Sequence, residues 1–93
     1  MGIIKNFKEK KDERKDNFVM GMETLPGIVD VIEVNAINGV VTEIREWTVR
    51  ALWAAEIAKF SPAKGAKLPE IMSTLRMAGF TAYDFDKEKY GIN

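Results

Sequence analysis

A mainly α fold, a small irregular four-helix bundle, is what this sequence predicts, and three observations predict it. The run from Ile3 to Met20 contains no Pro and no Gly and is rich in good helix formers. In 42–60, Val49, Leu52, Trp53, Ile57 and Phe60 recur at helical spacing. The punctuation agrees: Gly21, Asn38-Gly39 and Gly79 stand where helices would end, Thr24 and Thr42 where caps would sit, and Pro26 and Pro69 in first turns. Helices are therefore expected near 3–20, 25–37, 42–60 and 69–78, with room for a short strand at 80–85.

Charge is sorted along the first element. At helical spacing Glu9, Asp12, Glu13 and Asp16 share one stripe, while Lys10, Lys11, Arg14 and Lys15 fall opposite, beside Ile3, Ile4, Phe7 and Phe18. Two readings follow: a packed helix whose Lys and Arg stems cover apolar surface, or a docking helix anchored by its phenylalanines.

Residues 28–37 carry conflicting signals. Ile28, Val29, Val31, Ile32, Val34 and Ile37 are β-branched and favour a strand. Strict alternation, however, puts Asp30 on one face and Glu33 and Asn35 on the other, so neither face is clean. A turn of about 100° per residue gathers Ile28, Val29, Ile32 and Ala36 opposite Asp30 and Glu33. Asn38-Gly39 is also a strong hairpin turn. A two-residue loop there would pair Ile32 with Arg45, Glu33 with Ile44 and Val34 with Glu43, mixing polarities at each rung. The helix is preferred, and the alternative is an α+β fold with a 28–46 β-hairpin packed on helices.

Beyond Thr42, a second apolar side of Ile44, Trp47, Ala51, Ala54, Ala55 and Ala58 marks 42–60 as the helix sandwiched at the centre of the core. Pro62 and Gly65 place 61–68 in a loop, Pro69 opens the last helix, and 80–93 forms a C-terminal arm. One domain spans 1–93: a charged N-terminal helix over 1–20, a helical core over 21–79, and the arm.

Composition narrows the function. With 93 residues, 14 Lys+Arg balancing 14 Asp+Glu, and neither His nor Cys, the chain lacks the groups for the common zinc sites, a His-assisted nucleophile or a thiol nucleophile. Ser61 and Ser73 are its only serines and have no His to act as base. Asp84, Asp86 and Glu88 imitate the opening of a calcium loop, but the sixth position is Lys89 where that loop needs Gly. No phosphate-binding glycine motif occurs. No catalysis, metal or cofactor is expected. No apolar run approaches the roughly 18 residues of a membrane span, which makes a cytoplasmic location the simplest expectation.

What remains is interaction. The expected function is a non-catalytic accessory subunit or assembly component that docks on a protein partner or on another copy of itself. Its N-terminal helix would use Phe7 and Phe18, with Ile4, for apolar contact and Lys10, Lys11, Arg14 and Lys15 for orientation. The alternative is a nucleic-acid-binding regulator that adds Lys59, Lys64 and Lys67 to that basic face.

Overall fold

The computed structural model describes residues 13–60 and 64–92. They form five strands and one helix in the order β1 (Lys15–Leu25), β2 (Ile28–Ile37), β3 (Val40–Arg50), β4 (Trp53–Lys59), α1 (Leu68–Ala78) and β5 (Thr81–Ala82). The strands make one antiparallel sheet in the order β4-β3-β2-β1-β5.

This corrects the expected helical bundle. Among the described residues only the last of the four expected helices is helical, over Leu68–Ala78. The segment at 25–37 is a turn followed by β2, and 42–60 is β3 and β4 joined by a turn. The expected N-terminal helix is overturned at its end, where Lys15 to Met20 belong to β1; residues 1–12 lie outside the described residues. The hairpin of the alternative reading is present, within a sheet that among the described residues has five strands and carries one helix.

The residues expected to end helices turn strands instead. Asn38 and Gly39 both take positive φ, 52° and 79°, as a type I′ hairpin turn requires. Gly27 follows Pro26 with φ 80°, the type II signature. A β-bulge then settles the register that sequence alone made implausible. Thr42 is extra in β3, so beyond it Asn35 faces Glu43, Val34 faces Ile44, Glu33 faces Arg45 and Val31 faces Trp47. Val34 with Ile44 and Val31 with Trp47 now join apolar side chains and Glu33 with Arg45 joins acid and base, which is how cross-strand pairs stabilise a sheet, while Ile32 opposite Glu46 stays a mixed rung.

Both faces of the sheet are covered, each by a different element. On one, Met20, Ile32, Val34, Ala36, Val41 and Ile44 pack under Leu68 and Met72 of α1 and under Phe80. Gly79 closes α1 at φ 106°, its N–H donating to the Arg76 carbonyl, and Phe80 N–H donates to the Leu75 carbonyl. On the other face Val31, Trp47 and Val49 are buried under Tyr83, Phe85, Tyr90 and Ile92 of the C-terminal arm. Tyr83 lies so close to β1 that a Cβ on Gly21 would stand 2.8 Å from its ring, so that position admits only glycine.

Candidate interaction surface

The β4 edge is the most exposed apolar part of the described chain. Of eight large apolar side chains exposed there, four lie in or beside β4: Leu52 at 84%, Trp53 at 49%, Ile57 at 56% and Phe60 at 40%. Among the described residues no strand pairs with the outer side of β4, so a ladder of backbone donors and acceptors is open along seven residues.

The register sorts the side chains of this edge. Trp53, Ala55 and Ala58 stand opposite Arg50, Thr48 and Glu46, on the face that α1 covers further along the sheet. Ala54, Glu56 and Lys59 stand opposite Val49, Trp47 and Arg45, on the arm face. Ile57 is the extra residue of a second bulge between these sets. One row of the edge is thus apolar and the other carries an acid and a base.

Glu56 is anchored to β3. The Arg45 guanidinium donates to its Oε2 through Nε at 3.2 Å and also through Nη2. That hydrogen bond holds the Glu56 carboxyl below the usual carboxylate range and raises Arg45 further above the pH range of life. Arg45 also stacks 4.6 Å over the Trp47 ring and approaches Glu33 to 3.8 Å. Glu33 is 3% exposed, the one charged residue among the buried set, and its Oε2 accepts from Lys87 Nζ at 2.6 Å and Asn17 Nδ2 at 2.8 Å. This cluster ties β1, β2, β3 and the arm together.

Asp84, Asp86, Lys87 and Glu88 line a groove of about 570 Å³ with Asn17, Val19, Glu33 and Phe85. Their acids do not converge: among the described residues no three carboxylates come close enough to hold a metal ion. Asp86 instead accepts from the backbone N–H groups of Glu88 and Lys89, at 3.1 and 3.2 Å, and shapes the turn of the arm.

Glu46 lies on the α1 face beyond the helix, diagonal to Asp30. Burial, and then the Asp30 charge, raise its carboxyl above the usual range. The native state therefore binds a proton at Glu46 more tightly than the unfolded chain, and stability falls as pH rises through the ordinary carboxylate range and above it. Glu46→Gln is expected to stabilise the protein at pH 7, by no more than about 1 kcal/mol at this partly solvated site, and to leave it unchanged at pH 3. Thermal melts at the two pH values check this; equal effects at both would refute it.

The residues expected to bind partners are not brought together as one helical face. Ile4, Phe7, Lys10 and Lys11 lie outside the described residues. Arg14 precedes β1 and is paired with Asp16 at 3.1 Å, while Lys15 and Phe18 occupy alternate sides of the strand. Lys59 and Lys64 do converge, around a 220 Å³ hollow lined also by Thr42, Glu43 and Phe60, whereas Lys67 is not part of it. Glu43 within the hollow offsets much of that positive charge. Sequence reasoning missed the β4 edge because it placed Trp53, Ile57 and Phe60 inside a helix.

Among the described residues no helix is long and apolar enough to cross a membrane. Comparison with known proteins finds no matching family model, no matching curated protein and no matching solved structure.

Proposed function

We propose that this chain is a non-catalytic interaction module that associates with a second copy of itself through the β4 edge. The observation that carries the reading is the coincidence of an open backbone ladder with four exposed apolar side chains. Exposed edges of this kind are ordinarily blunted by charge, proline or shortness, and β4 has little of that protection. Charge favours a copy as the occupant. A two-fold antiparallel pairing continues each face into the same face of its mate, so the Trp53, Ala55 and Ala58 row meets an apolar row. On the arm side Glu56 of one copy comes alongside Lys59 of the other, and zero net charge leaves no long-range repulsion to overcome.

Ile57→Lys tests this, because the side chain is exposed and bulged and its loss spares the core. Light scattering coupled to size exclusion is expected to give a dimer for the wild type at low and high salt. The variant should remain folded by circular dichroism and weaken dimerisation at least about a hundredfold, since symmetry counts each substitution twice. A wild-type monomer at high concentration would overturn the proposal. A monomer that shifts only on adding DNA at low salt would instead favour Lys59 and Lys64 as phosphate contacts.

A further inference from the structure

The opposite edge of the sheet holds a second site of another kind. β5 pairs only with Met20 and Gly21, and Tyr83 N–H adds one bond to the Val19 carbonyl at 3.0 Å. Backbone polar groups alternate in direction along a strand. Arg14 turns both of its backbone groups towards the β2–β3 turn, its N–H donating to Asn38 Oδ1 at 2.9 Å and its carbonyl accepting from Asn38 N–H at 2.8 Å, while Val19 turns its carbonyl outward. By the same alternation Lys15 and Asn17 turn their N–H and C=O groups outward, and among the described residues nothing pairs with them. Beside this short open stretch lies an apolar groove of about 460 Å³ between β1 and α1. Phe18 forms its outer wall, Met20, Met72 and Phe80 its floor, and Arg76 its rim.

The direction of α1 assigns the charged end. The helix begins beside the β2–β3 turn, where Leu68 N–H donates to the Gly39 carbonyl at 2.9 Å. It ends beside Met22, whose sulfur would lie 3.1 Å from a Cβ on Gly79. α1 therefore runs in the same direction as β1, and Arg76, in its last turn, stands at the end of the open stretch where β5 begins. Arg76 has no acidic partner among the described residues.

We infer that this groove binds the carboxyl-terminal end of an extended peptide, added as a strand parallel to β1 at Lys15 and Asn17. Its last apolar side chain enters between Phe18 and Met72, and its terminal carboxylate meets Arg76. A strand added there runs end-on into β5, so it must terminate, which is why the carboxylate is a chain end. Backbone bonds supply affinity, the groove selects the apolar residue, and the guanidinium selects the terminus. The site is independent of the β4 edge.

The test is fluorescence anisotropy with labelled pentapeptides ending in Val, Leu, Ile or Phe, each as free acid and as amide, with amide chemical shifts to locate binding. At least one free acid is expected to bind saturably and to shift the Lys15 and Asn17 amides. Its amide should bind roughly tenfold more weakly. Arg76→Gln, at an exposed position, should abolish that preference for the acid without moving the melting temperature. The inference is overturned if no free acid binds below about 1 mM, if acid and amide bind alike, or if the shifts lie away from β1. It is equally overturned if an amidated peptide with an internal Glu binds as well as the free acid.

Discussion

Trp47→Ala is expected to destabilise the domain by about 3–5 kcal/mol, the cost of emptying a large aromatic site in a packed core. The ring is 1% exposed, lies 5.4 Å from Phe85, and is the largest fully buried side chain. Phe85 in turn stacks on Tyr90 at 5.6 Å, so the arm rests on Trp47 as on a platform. A domain of this size has a total stability of about 5–14 kcal/mol, so the substitution removes a large share of it. Urea titration measures the loss, and hydrogen exchange of the arm amides shows where it falls. A loss under about 1 kcal/mol would mean that the arm does not cover this face in solution.

Glu33→Ala is the second large effect, with an expected loss of about 3 kcal/mol. Truncation strips Lys87 and Asn17 of the oxygen they share and leaves Arg45 facing a cavity between β2 and β3. Lys87→Met should cost less, because Asn17 and Arg45 still attend the carboxylate. The double variant should lose less than the sum of the two single losses, with a coupling of about 1–2 kcal/mol. Additive losses in the cycle would show that the Lys87–Glu33 contact contributes nothing of its own to holding the arm.

Together the two predictions separate the roles of the sheet's faces. The core beneath α1 is apolar, whereas the arm face is held by an aromatic platform and a buried carboxylate that draws cations from two elements. Neither face covers the sheet's edges, β4 and the open part of β1, and it is there that we propose interaction.

The helix reading of 42–60 failed for identifiable reasons. Within β3 each side mixes apolar with charged or polar residues: Ile44, Glu46 and Thr48 on one, Arg45, Trp47 and Val49 on the other. α1 covers only part of its face, so Ile44 is buried while Glu46 beyond it is partly solvated. The turn at Ala51 and Leu52 and the bulge at Ile57 then shift the phase of β4, and two phase-broken strands with period 2 imitate one period of 3.6. The same error hid the β4 edge, since its apolar residues were counted as core.

Local chemistry determined the positions at which the chain changes direction. Pro26-Gly27, Asn38-Gly39 and Gly79 favour turns or caps, because glycine takes positive φ without a Cβ clash, Asn tolerates it better than most residues, and proline fixes its own φ. The helix at Leu68–Ala78 was legible for the same reason, since proline opens it and glycine ends it. The β-branched content of 28–37 was a correct signal of β2, outweighed by a pattern that no one-sided strand could show. Only tertiary structure could decide that conflict. β2 is buried on both faces, with Ile32 and Val34 under α1 and Val31 beneath the arm, so its apolar residues need not alternate. Glu33 is tolerated inside because cations arrive from β3 and from the arm, 54 residues away in the case of Lys87. A bulge of one residue sets the register that brings Arg45 to it, and the backbone beside that bulge is bonded to a segment far along the chain, with Val41 N–H donating to the Ala66 carbonyl and Gly65 N–H to the Val41 carbonyl.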